Sequence, residues 1–66
     1  MSLKERSDPK FRHLVGKKIT FISEGVRHVG VVDFIGVNTL LHNQFQITVN
    51  RTPIWPVNPK TIKLFN

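Results

Sequence analysis

Residues 45–65 read FQITVNRTPIWPVNPKTIKLF, and this stretch decides the fold. Phe45, Ile47 and Val49 alternate with Gln46, Thr48 and Asn50, which gives a strand one apolar face and one wet face. Asn50-Arg51 supplies a two-residue turn, because asparagine tolerates the left-handed backbone such a turn needs. A second strand follows at 52–57, TPIWPV, carrying the only tryptophan. Pro53 and Pro56 have no N–H to donate, so this strand lies at an edge or pairs on one side only. Asn58-Pro59-Lys60-Thr61 suits a single 3₁₀ turn. In the last short strand Ile62 and Leu64 are expected to point inward, with Lys63 and Phe65 outward.

Upstream, residues 17–22 (KKITFI) form a strand with Ile19 and Phe21 on one face. Ser23-Glu24-Gly25 is a turn in which Gly25 is free to take positive φ. Residues 27–35 (RHVGVVDFI) are apolar on both faces, as befits a long, bent strand buried partly on both sides. A glycine inside a strand often marks a bulge, which puts the expected bend at Gly30. Asp33 reads as an edge or surface position without a catalytic use. Residues 36–44 (GVNTLLHNQ) are loop-like, with Leu40 and Leu41 expected to cap the core. Residues 1–13 are polar and charged, and Pro9 argues against a helix over 2–7. The expectation is therefore an all-β protein: a basic, flexible N-terminal arm (residues 1–13) followed by a small five-stranded barrel (residues 14–66).

The chain has 66 residues, enough for one domain. A chain this short buries only about 60% of the surface its unfolded form exposes. With no cysteine there is no disulfide to help. His13, His28 and His42 stand apart, without metal-ligand spacing, so no metal and no cofactor are expected. A homo-oligomer or a place in a larger protein complex would supplement the thin core. No run approaches the ~20 apolar residues of a membrane span. The absence of cysteine and of a secretory signal gives the cytoplasm as the expected location.

Ten Lys and Arg against four Asp and Glu leave a net charge of +6. Such an excess on a small body favours a polyanion, DNA or RNA. Nucleic-acid sites combine cations that neutralise phosphates with aromatics on which bases stack. The candidate contact residues are Lys10, Arg12, Lys17, Lys18, Arg27, Arg51, Lys60 and Lys63, with Trp55 as the stacking platform. Phe11 and Phe65 are further aromatics of undecided role. No catalytic residue is expected. Glu5, Asp8, Glu24 and Asp33 are scattered, and no pairing of acid, base and nucleophile follows from their spacing.

Residues 15–65 resemble an SH3-like barrel of the kind found in translation and transcription (KOW) proteins. The likeness rests on HVGVVDFIG, FQITVNRTPIWPV and NPKTIKLF. The ending PVNPKTIKLF is also similar to that of retroviral integrase C-terminal domains, which implies a basic barrel that binds DNA and often dimerises. A weaker likeness is to the plasmid-borne type II dihydrofolate reductases, whose Val-Gln-Ile-Tyr-Pro-Val strand corresponds to residues 52–57. There Pro53 takes the place of the glutamine and Trp55 that of the tyrosine, so the reductase amide is missing. These resemblances imply first a nucleic-acid-binding barrel. The alternative is a protein-interaction or oligomerisation module built on Trp55, Pro53 and Pro56.

Overall fold

The computed structural model describes residues 2–65. It is an all-β protein with one five-stranded antiparallel sheet. The strands are β1 (Lys18–Ser23), β2 (Val26–Asn38), β3 (Gln44–Val49), β4 (Thr52–Ile54) and β5 (Lys63–Leu64), in the order β4-β3-β2-β1-β5. The turns form where the sequence places them. Asn50 and Arg51 both take positive φ, as do Glu24 and Gly25, so each hairpin turns on two left-handed residues. Pro59–Thr61 is a 3₁₀ turn, opened by the Asn58 side chain accepting from the Lys60 amide.

β2 is the organising strand. Its first half, up to Val31, pairs with β1, and its second half, from Val32, pairs with β3. The register slips by one residue between Val32 and Phe34, so the bulge falls on Asp33 and not on Gly30. Asp33 turns outward there and its Oδ2 accepts the Arg51 amide at 2.7 Å, fastening the β3–β4 turn. Gly30 has a different task. A Cβ at this position would lie 2.8 Å from Val49 Cβ, so glycine lets the bent strand pass beneath Val49.

The expected closed barrel does not form. β4 and β5 are the two margins of the sheet and do not pair with each other. Neither has the length or the donors to do so: β4 is three residues with Pro53 at its centre, and β5 is two. The core lies against the inner face of both halves of β2. Ile19, Phe21, Val32, Ile35, Ile47 and Val49 fill it, with Leu14 and Val57 at its ends. Three expected core residues, Leu40, Leu41 and Leu64, are outside it. Leu40 is 89% exposed, because the 3₁₀ turn Thr39–Leu41 swings it away from the sheet. Leu64 is exposed too, since nothing flanks the two-residue β5 on its outer side.

The N-terminal residues, expected as a flexible arm, are docked. A four-residue helix, α1 (Leu3–Arg6), forms in spite of Pro9. Ser2 accepts from the Glu5 amide and donates to the Glu5 carboxylate, a capping pair that starts the helix, and Pro9 lies beyond its end. The segment after α1 then runs along the edge of β2 that β1 leaves free. Asp8 N–H donates to Ile35 O at 2.8 Å, and Ile35 N–H donates to the buried Ser7 Oγ at 3.1 Å. Gly16 N–H and Lys17 O bind the carbonyl and amide of Val32. A Cβ on Gly36 would lie 3.2 Å from Asp8 N, so a larger residue would push the segment away.

Two outcomes follow. Ser7→Ala leaves the Ile35 amide buried without an acceptor and lowers unfolding free energy by about 1–3 kcal/mol in urea titrations, whereas a free arm would give no change. Gly30→Ala costs about 1–3 kcal/mol through overpacking. In a double-mutant cycle Val49→Gly, which removes the obstructing Cβ, recovers part of that loss, and strict additivity of the two changes would show that Val49 is not the obstacle.

Candidate nucleic-acid interface

The register of β1 sorts its side chains by face. Ile19 and Phe21 go to the core, and Lys18, Thr20 and Ile22 take the opposite face, where Lys18 and Ile22 are exposed and Thr20 is buried. Opposite them on β2 stand Val31, Val29 and Arg27, and opposite Thr20 on β5 stands Lys63. Thr20, Ile22, Arg27, Lys60, Thr61 and Lys63 line one shallow groove of ≈ 470 Å³. Lys18 extends this surface at the other end of β1. Its Nζ sits 4.4 Å from the centre of the Phe65 ring, a cation–π contact, and Phe65 N–H donates to Lys18 O at 3.0 Å. Lys18, Arg27, Lys60 and Lys63 therefore share one outer face with exposed Ile22, Val29, Val31 and Phe65.

The position of Lys60 follows from an edge requirement. β5 covers β1 only at Ile19 and Thr20, which leaves the Ile22 amide without a ladder partner. Thr61 Oγ1 accepts that amide at 3.0 Å and donates to Asn58 O at 2.7 Å. One hydroxyl thus ties the Pro59–Thr61 turn to the sheet and carries Lys60 alongside Arg27.

The acidic side chains lie elsewhere. Glu5 is on α1, Asp8 on the docked segment, Asp33 at the bulge and Glu24 in the β1–β2 turn. The residues lining this groove include cations and no carboxylate; the carboxylate on β2, Asp33, lies beyond Val31 and is engaged by the Arg51 amide.

The remaining sequence candidates do not join this face. Lys10 is exposed on the N-terminal segment, 5.7 Å from the Phe11 ring centre. Arg12 is half-buried and donates to the carbonyls of Glu5 and Ser7 at 3.0 and 3.3 Å, so its guanidinium holds the fold together. Lys17 is exposed where the segment leaves β2. Arg51 is exposed in the β3–β4 turn.

Trp55 is 41% exposed, but it is not set among Arg51, Lys60 and Lys63. After the cis Trp55-Pro56 peptide the chain turns in, and Ser23 Oγ donates to Pro56 O. Trp55 lines a separate groove of ≈ 390 Å³ with Ser23, Glu24, Val26, His28, Pro53 and Ile54. The aromatic beside the cations is Phe65. The readable signal was its spacing, two residues after Lys63 on an outward face. Lys18, one strand away, becomes its neighbour only through the β1–β5 pairing.

Among the described residues no three His, Cys, Asp or Glu side chains come together as a metal-ligand set, and no helix is long and apolar enough to cross a membrane. No protein-family model, curated protein or solved structure matches the chain.

The Thr61 tie has a direct test. Thr61→Val keeps the shape, removes the acceptor and lowers stability by about 1 kcal/mol, while Thr61→Ser stays within about 0.5 kcal/mol of the parent in urea titrations. Equal stability of the two variants would show that the Ile22 amide does not depend on the hydroxyl.

Proposed function

We propose that this chain is a small nucleic-acid-binding protein that works in the cytoplasm and grips phosphates through the outer face of β1, β2 and β5. The observation that carries the reading is the gathering of Lys18, Arg27, Lys60 and Lys63 along one face whose groove is lined by no acidic side chain. These four come from three strands and a turn, so their convergence is a property of the fold and not of a local charge run. A cationic surface of this kind attracts a polyanion and releases its condensed counterions, which makes affinity fall steeply with salt. The absence of cysteine supports a reducing compartment.

A second reading draws on a specific feature of the same face. Ile22, Val29, Val31 and Phe65 are each more than 40% exposed on this face, and exposed apolar side chains interspersed with cations suit a contact with a protein or a second copy of the chain. The two readings differ in what salt does. Phosphate binding weakens with it, and apolar association does not.

Each lysine that neutralises a phosphate of a single strand contributes about 0.7 to the slope of log affinity against log salt. Lys60→Gln combined with Lys63→Gln is expected to reduce that slope by about 1.4 in fluorescence-anisotropy titrations. Lys4→Gln combined with Lys10→Gln removes the same net charge away from the face and leaves the slope unchanged. Equal effects of the two pairs would mean that total charge, not this face, governs binding. Absence of binding at low salt would end the proposal.

A further inference from the structure

We infer that the ligand of this face is single-stranded nucleic acid, its bases stacked on Phe65 and laid over Val29 and Val31 while the surrounding cations hold its phosphates. The inference rests on the phosphate-binding reading above and adds to it the class of strand.

Three features point the same way. The first is the presence of an aromatic ring at the cationic face. Phe65 is 43% exposed at the sheet margin, held by its backbone bond to Lys18 and by the lysine over its ring. Every base has a π-face, so such a ring accepts bases of any identity. A duplex keeps its bases stacked on one another and offers this ring nothing.

The second is the apolar row between the cations. Val29 and Val31 are cross-strand partners of Thr20 and Lys18, and Ile22 is the partner of Arg27. Purely phosphate-directed binding has no use for exposed valines at its centre. Unstacked bases do, since they carry large weakly hydrated faces. From Lys18 to Ile22 the surface runs ~13 Å along β1, and from β5 to β2 it spans ~10 Å, which accommodates about two or three bases.

The third is what the fold does not project. Reading a duplex from its major groove takes a helix or a protruding two-stranded ribbon. Among the described residues the only α-helix has four residues and lies against β2. The β3–β4 hairpin is tied down at its tip, where Asn50 N–H donates to Val31 O and Asp33 accepts from the Arg51 amide.

The experiment compares the full chain binding a fluorescent oligothymidylate and a duplex of the same length, at fixed low salt. The single strand is expected to bind more tightly. Phe65→Ala is expected to weaken single-strand binding about 5- to 150-fold without changing its salt slope. Phe65→Leu, which keeps apolar bulk and loses the ring, is expected to weaken it in the same direction and guards against a folding defect in the alanine variant. Phe65→Trp is expected to preserve binding. In a Trp55→Phe background its emission should be quenched as the oligonucleotide saturates, while Trp55 emission of the parent stays constant.

A duplex bound as tightly as the single strand, or less than about a twofold loss in both Phe65→Ala and Phe65→Leu, overturns the stacking inference. Phosphate binding then still stands if the salt slope persists. No binding of either probe removes both. Dissociation of a dimer by Phe65→Ala in sedimentation, with oligonucleotide affinity intact, reassigns the face to protein contact.

Discussion

The structure depends on how the two edges of β2 are satisfied. A 13-residue strand carries far more hydrogen-bonding groups than either neighbour can meet. β1 takes one edge as far as Val31, and β3 takes the other from Val32 onward. Each neighbour therefore leaves half an edge open, and buried backbone groups left unpaired are costly. The N-terminal segment closes one of these gaps by bonding Ile35 and Val32. Beside the other gap lies the groove that holds Trp55, where the Asn50 amide reaches Val31 O. The sheet remains open because β4 and β5 are too short to do for the margins what the N-terminal segment does for β2.

This division decides which surfaces remain free. The inner faces of both halves of β2 are buried in one core. Outside, the second half is not bare: Gln46 is buried, bonded to Asn38 and Thr48, and α1 and the docked segment lie over Phe34 and Gly36. The outer face of the first half has no such cover. The cations and the apolar row are on that uncovered half, so the candidate interface is the one sheet face that the chain does not use to complete its own fold.

Much of this was legible in the sequence, and the reasons for the rest are physical. The apolar faces of residues 17–22 and 45–49 and the left-handed turns follow from local rules and hold, whereas the expected wet face of 45–49 does not, since Gln46 is buried and Thr48 half-buried there. Ser2 and Glu5 are a local signal as well, but it is outweighed in a linear reading by Pro9, which acts only beyond the helix it seemed to forbid. Gly30 and Asp33 show the limit more clearly. Both are exceptions in an apolar strand, and pattern alone cannot say which marks a bulge and which a close approach. The answer depends on Val49 and Arg51, which are far away in sequence and adjacent only after β3 pairs. The site was legible in its chemistry and not in its geometry. Cations and aromatics were visible, but Trp55 drew attention as the largest ring. Its partners, Glu24 and His28, belong to a different face, whereas Phe65 reaches Lys18 only through a two-residue strand.

Four like charges on one face of a chain this small also bear on its stability. Charges within a Debye length, about 8 Å at physiological salt, are not fully screened from one another. Lys63 and Arg27 flank β1 on opposite sides, and Lys60 joins them at the same groove, so folding gathers cations that the unfolded chain leaves dispersed. The small core has little stability to set against this. Under the proposed reading a polyanion on the face would offset this gathering of charge, and a ligand that binds the assembled face and not the dispersed residues would stabilise the fold by a free energy that grows with the logarithm of its concentration above Kd. On that reading the cluster of cations would couple folding to ligand binding, and the Thr61 tie that brings Lys60 to the groove would be part of both.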